Sequence, residues 1–395
     1  MITMAARGVR RWLSEKQPDH VSARRAELER WISVYRAFTE AALAQFPDGQ
    51  VMNLERTPRE QWPLIRTFLP RGAVPDRYAP CFEQRLRLLG QDVARTEEPV
   101  VGDRILLVDI RERAGRRPNE IHGAVELSQA GILIGLDRYA HIRSDTVRKT
   151  LRHCDQMLAM ANSLGDELSR MTALALICDQ LSGLPLELPP LSLSYDRQYF
   201  RTGLMTFGTD EVIIDAGAAT GDSLAKYREV QPRFARYHAF EPDPVLGRAL
   251  HELVERDYQD GRVVASDMPL AERSGPVKMI VAPGSGNTRA APDGQEQRNA
   301  SSIDDYLDGR PATIIKMDVE GAEPELLRGA ARTIRQCKPK LLISVYHEIE
   351  HLFQIPDIIR SIRPDYQFYL RNHSEATEID SWPGKFFCET VLYAC

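Results

Sequence analysis

The stretch Val212-Ile-Ile-Asp215-Ala-Gly217-Ala-Ala-Thr-Gly221-Asp222-Ser223 places an apolar run, a carboxylate and a glycine-bounded loop directly one after another. Apolar, β-branched residues in such a run make a buried strand. A loop opened and closed by glycine lets the backbone come close to a ligand before the next helix begins. The stretch therefore predicts the strand–loop–helix unit of a nucleotide-binding sheet. A loop that cradles a dinucleotide pyrophosphate carries glycines spaced G-x-G-x-x-G, and here the middle position is Ala219. An acid at the strand end repels a pyrophosphate and attracts a cofactor with ammonium and sulfonium charge. S-adenosyl-L-methionine has both charges.

From residue 212 onward strand and helix patterns alternate, as in a doubly wound α/β sheet. Strands are predicted at 212–215, 237–241, 262–266, 277–282, 313–318, 340–346, 367–371 and 387–394, with helices at 222–230, 244–258, 323–336 and 348–362. The first half reads differently. A helical stripe at 21–46 carries Leu28, Trp31, Ile32, Tyr35 and Phe38, short apolar strands are predicted at 105–110 and 131–136, and helices at 145–164 and 166–181. The run Gly183-Leu-Pro-Leu-Glu-Leu-Pro-Pro then breaks the pattern. A chain of 395 residues exceeds the size at which one core is usual. We therefore expect a smaller, helix-rich mixed α/β domain at 1–190, accessory in role, and a second domain at 195–395.

Charge narrows the partners. A formal net charge of -5 gives no reason to expect nucleic acid, and the basic run at 111–117 reads as a solvated loop. The six cysteines form no C-x-x-C pair, so no zinc site is expected, and no apolar run is long enough to span a bilayer. A cytoplasmic protein without membrane partners is the resulting expectation.

In open sheets ligands bind beyond the carboxyl ends of the strands. At the first strand end stand Asp215, Gly217, Ala218 and Gly221, followed by Asp222 and Ser223, all expected to hold the cofactor. At the second, Glu241-Pro242 is positioned to accept hydrogen bonds from ribose hydroxyls, and at the third, Ser266-Asp267 to meet the adenine amino group. Each acid taken singly also reads as a helix cap. The segment Ile315-Lys316-Met-Asp318-Val-Glu320-Gly321-Ala-Glu323 adds three more acids, with Asp318 expected beside the cofactor and the acceptor. Glu320 or Glu323 is expected to hold the loop. Such carboxylates also suit a hard cation such as magnesium, and Glu323 and Glu325 also read as complementing a helix N-terminus, the reading favoured for Glu325, so no metal is expected. Lys316 is expected to point away from the cofactor or to pair with an acid.

These residues, with Phe240-Glu241-Pro242-Asp-Pro244, Ser302-Ile-Asp304-Asp305-Tyr-Leu307 and Tyr346-His347, resemble the FkbM family of S-adenosylmethionine-dependent methyltransferases over about residues 195–395. The resemblance implies a Rossmann-like methyltransferase fold whose last strand is antiparallel. It also implies O-methylation of a sugar, polyketide or other natural product. One departure is Ala219, where many relatives carry Asn; Asp222 and Ser223 are candidates to replace that contact.

For proton removal from an acceptor hydroxyl, His347 is the first candidate and His373 the second, because imidazole titrates near neutrality. The structural alternative is a core histidine. Two competing functions remain at this stage: a nucleotide-dependent oxidoreductase, disfavoured by the absent G-x-G-x-x-G, and a non-catalytic assembly protein that only senses the cofactor. The N-terminal half suits substrate selection, a homodimer interface or docking of a carrier protein. The loop at 283–294, rich in glycine, reads as a hairpin tip or as a flap bringing Arg289 to an anionic substrate group.

Overall fold

A computed structural model describes residues 149–182, 193–374 and 389–395, five strands between residues 66 and 135, and helical residues within 25–36. The chain divides into two compact units.

In the first unit, strands β1 (Arg66–Phe68), β2 (Asp92–Ala94), β3 (Ile105–Asp109), β4 (Ala124–Ser128) and β5 (Gly131–Gly135) form one sheet in the order β2-β1-β3-β5-β4. Only β4 and β5 run antiparallel. The sequence signal reached β3 and β5, whose apolar runs are continuous. β1 and β2 have three residues each, too few to show an alternation. Leu28 and Ile32 are buried as the helical stripe predicts; Trp31, Tyr35, Phe38 and the basic run at 111–117 lie outside the described residues. Helices α1 (Cys154–Ser163) and α2 (Glu167–Ser182) follow.

The second unit is built on a seven-stranded sheet. Its strands are β6 (Val212–Ala216), β7 (Arg236–Phe240), β8 (Val263–Ser266), β12 (Ile314–Met317), β13 (Lys340–Ser344), β14 (Phe368–Asn372) and β15 (Thr390–Ala394). They lie in the order β14-β15-β13-β12-β6-β7-β8, and β15 alone is antiparallel to its neighbours. Helices α3 (Asp222–Val230), α4 (Leu246–Asp257), α5 (Ile303–Leu307), α6 (Glu323–Gly329), α7 (Ala331–Cys337) and α8 (His351–Ile362) connect the strands. This is the expected Rossmann-like methyltransferase fold. Strand order reverses between β6 and β12, so the carboxyl ends of those two strands frame the crevice where such sheets bind ligands.

Two expectations need correction. The strand predicted at 277–282 is β9 (Gly275–Ile280), but it leaves the main sheet and pairs with β10 (Arg289–Ala290) and β11 (Glu296–Ala300) in a separate antiparallel sheet. The loop at 283–294 therefore contains a short strand. The helix predicted at 323–336 is divided at Ala330, whose N–H turns back to the Leu327 carbonyl at 3.2 Å. A Cβ at Gly329 would stand 2.4 Å from the Ala271 carbonyl oxygen, so the backbone passes there only because Gly329 has no side chain.

The core explains why α3 docks as it does. Phe200, Tyr227, Phe234 and Tyr237 pack edge to face in series, with centroids 5.1, 5.9 and 6.0 Å apart. That arrangement sets the quadrupolar edge of each ring against the face of the next. The motif at 302–307 is structural: Ser302 accepts the Asp305 N–H at 3.0 Å, while Asp304 accepts from Thr333 N–H at 2.8 Å and from its hydroxyl at 2.7 Å. It therefore caps two helices, α5 and α7. On β14, Arg371 is buried and donates to Asp166 at 2.5 Å and to the Ser169 hydroxyl at 2.7 Å. Residues 163–169 belong to this second unit.

Candidate active site

At the crevice one cavity is lined by Gly217, Glu241, Pro242, Leu270, Met279, Thr288 and Asp318, among others. Gly217 has φ 77°, and a Cβ there would lie 1.8 Å from the Asp318 carbonyl oxygen. Glycine is thus required twice over, by backbone conformation and by the contact between the ends of β6 and β12. Ala219 also takes a left-handed conformation, φ 45°, and its N–H donates to the Glu241 carboxylate at 2.8 Å. The other Glu241 oxygen accepts the Asp243 N–H at 2.8 Å. Burial pushes the Glu241 carboxyl up, and these two N–H groups pull against it.

Asp215 does not reach the cavity, contrary to the expected contact with the cofactor's positive charge. It is fully buried, accepts the Tyr237 hydroxyl at 2.7 Å and pairs with Lys316 at 3.1 Å. The reason is register: Asp215 and Lys316 are partners on adjacent parallel strands, so both side chains leave the same face of the sheet. Lys316 also donates to the Gly217 carbonyl at 2.6 Å. Burial disfavours its charge, but Asp215, Asp318 and Asp222 outweigh that and hold the ammonium firmly protonated. Its pairing with an acid is one of the two arrangements read from the sequence.

The remaining predicted cofactor residues divide. Ala218 and Ser223 are buried, and Gly221, at φ 93°, starts α3 with Leu253 packed where its Cβ would be. Asp222 lies 3.8 Å from Lys226. Asp267 is exposed, and Ser266 uses its hydroxyl to accept the Met268 N–H at 3.2 Å. Neither Ser266 nor Asp267 lines the cavity; Pro269 and Leu270, slightly further along, do. Glu241, Pro242, Gly217 and Asp318 are the predicted residues that the fold brings together there.

A second group of polar side chains centres on Asp318. Its carboxylate accepts the Tyr199 hydroxyl at 2.8 Å and the Tyr346 hydroxyl at 3.1 Å. His347 stands close by, with Nε2 3.6 Å from Asp318 and 3.6 Å from Glu320, and Nδ1 2.9 Å from Glu323. Burial disfavours its charged form, yet Glu320, Glu323 and Asp318 together overcome this and raise it to about 10. An imidazolium has no lone pair to take a proton, so His347 in this state is a cation and not the general base expected from its sequence position. His373 is a clearer correction: it is fully buried, its Nε2 is 2.8 Å from the Tyr393 hydroxyl, and burial lowers it to about 3. It belongs to the core.

Sequence reasoning missed Asp243. Its carboxylate accepts the N–H groups of Val245 and Leu246 at the start of α4 and also that of Gly284 at 3.0 Å and the Thr288 hydroxyl at 2.8 Å. Burial works against its charge, but these donors prevail and hold the carboxyl below its ordinary range. One side chain thus ties the loop at 283–294 to the Glu241-Pro242 turn, and brings Thr288 and Arg289 to the cavity lining. The signal was present as Asp243-Pro244 ahead of a helix pattern.

Residues 215–370 match the methyltransferase FkbM domain family. The chain carries an FkbM methyltransferase domain. Among solved structures, the chain is similar to methyltransferase FkbM from Methylobacillus flagellatus KT, at 27% identity over 81% of this chain and 72% of that one, TM-score 0.55. It also aligns with a putative rRNA methylase from Clostridium thermocellum at 8% identity over 47% of this chain and 87% of that one, TM-score 0.30. No curated protein matches the chain. Among the described residues no helix is long and apolar enough to cross a membrane.

Proposed function

We propose that the FkbM domain transfers the methyl group of S-adenosyl-L-methionine to a hydroxyl of a small-molecule acceptor, a sugar, polyketide or other natural product. The observation that supports this best is the placement of Glu241 and Asp318 on one cavity with the side-chain-free Gly217. The residues present fit the cofactor. Each Glu241 oxygen accepts one backbone N–H and keeps a lone pair for a ribose hydroxyl. Leu270 and Met279 offer the apolar flanks that a purine requires, and the backbone at Gly217 allows close approach.

When bound, the cofactor supplies an electrophilic methyl on sulfonium. The chain's own contribution is placement, since in-line displacement depends mainly on aligning the acceptor oxygen. Asp318 stands where that oxygen would be held, and Tyr199 and Tyr346 fix its carboxylate in orientation. The acceptor proton becomes acidic as the new O–C bond forms, so a carboxylate suffices to receive it. The first unit is proposed as an accessory domain for substrate selection or oligomerisation.

Calorimetry with S-adenosylmethionine and S-adenosylhomocysteine tests the reading. Binding of both, and methylation of an acceptor from a pool of natural-product hydroxyl compounds detected by mass spectrometry with labelled cofactor, is the expected result. Binding of NAD with no response to either sulfur compound would overturn it.

A further inference from the structure

The loop between β12 and α6 is wound by two successive left-handed residues, Glu320 at φ 55° and Gly321 at φ 103°. This winding turns Asp318 and Glu323 toward the same point, where His347, arriving from the end of β13, meets them. One donor atom from each of Asp318, Glu323 and His347 lies within 4.8 Å of the other two. We propose that these three residues bind a divalent transition-metal cation. Binding releases to solvent the proton that His347 carries in the metal-free protein, which frees a ring nitrogen lone pair for the ion.

The state of the donor atoms supports this beyond their proximity. Glu323 is fully buried, and its Oε2 makes no hydrogen bond. The His347 side chain is only 9% exposed, and neither ring nitrogen is in hydrogen-bonding geometry although carboxylates surround it. Buried polar atoms normally find a partner, so two residues of one cluster with unpartnered buried atoms are an exception that a ligand would resolve. Lys316 is committed to Asp215 and the Gly217 carbonyl.

The supporting contacts are of the kind that orient metal ligands. Tyr199 and Tyr346 hold Asp318, and the Val319 N–H donates to Glu323 Oε1 at 2.9 Å, so the carboxylates are fixed with lone pairs to spare. His351 Nδ1 lies 3.5 Å from Glu323 Oε2. One imidazole with two carboxylates and no thiolate selects manganese, iron or zinc over calcium and magnesium, which prefer all-oxygen sets. Because Asp318 also lines the cavity, the ion would border the space assigned to the acceptor, and that part of the argument rests on the proposed function.

Manganese(II) is a suitable probe because its electron paramagnetic resonance signal reports free and bound ion directly. The experiment uses the full chain, stripped with a chelator and without cofactor, so its outcome is independent of whether S-adenosylmethionine binds. One equivalent of bound manganese is expected, with imidazole ¹⁴N coupling in electron spin-echo envelope modulation. Affinity should fall at least tenfold in His347→Gln and Glu323→Gln. No uptake, bound manganese without ¹⁴N coupling, or unchanged affinity in both variants would overturn the proposal. The ¹⁴N coupling is read in the unaltered protein, so the test stands even if a variant fails to fold.

Discussion

Lys316 and Asp215, register partners on adjacent strands, form a buried ion pair at 3.1 Å directly below the glycine loop, and the same ammonium holds the Gly217 carbonyl. The pair sets the loop from beneath. Replacing Lys316 by Met leaves an uncompensated carboxylate in the core. Breaking a buried pair in this way costs about 3–5 kcal/mol. Urea denaturation of Lys316→Met should show that loss, and the double variant with Asp215→Asn should recover part of it. A single-variant cost within about 1 kcal/mol would contradict the account.

Gly217→Ala is expected to do more harm than an ordinary glycine substitution. The left-handed conformation alone costs about 1–2 kcal/mol for an L-residue. The 1.8 Å approach to the Asp318 carbonyl adds a displacement of the β12 end. Cofactor titration of any folded Gly217→Ala protein should show binding weakened at least tenfold.

Ala219 offers the opposite case. It carries the left-handed strain, and Asn tolerates that conformation better than Ala. Ala219→Asn should raise stability by about 0.5–1 kcal/mol, by analogy with other substitutions that suit a native φ/ψ. Thermal unfolding at fixed pH measures it.

Glu241→Gln tests the ribose contact. Hydrogen bonds to a charged group contribute about 1.5–3 kcal/mol, so the expected loss of cofactor affinity is roughly 10–100-fold. Calorimetry on the variant reads it, and an unchanged affinity would remove Glu241 from the site.

His373 gives a pH dependence with a definite sign. Its folded value is about 3 against an ordinary 6.5, so between those limits the unfolded chain binds a proton that the folded chain refuses. Stability should therefore be complete above about pH 6.5 and fall by up to about 1.4 kcal/mol per pH unit as acid is added through that window. Chemical denaturation across pH should show the slope, and His373→Phe should flatten it. Stability that held constant as the pH fell would contradict the buried, neutral histidine.

How much was legible follows from how local each signal was. The strand at 212, the acid of Glu241 and the helix at Asp222–Val230 were readable because strand, loop and helix signals followed one another in sequence. Asp215 was misplaced because its role depends on which residue stands beside it on β12, a register that the sequence does not print. His347 was read as a base because its three carboxylate neighbours come from a loop some 25 residues away in the chain, and only folding sums their fields. Asp243 was missed because half of its partners lie in the loop at 283–294, about 40 residues on.

The grip of Asp166 and Ser169 on Arg371 means that the second unit is not a contiguous cassette. A segment exchanged between relatives at residue 195 would carry the guanidinium of β14 away from its anchor and leave a buried charge unmatched. Swaps made at that seam should fold poorly, whereas those that begin before residue 163 keep the graft self-sufficient in that contact.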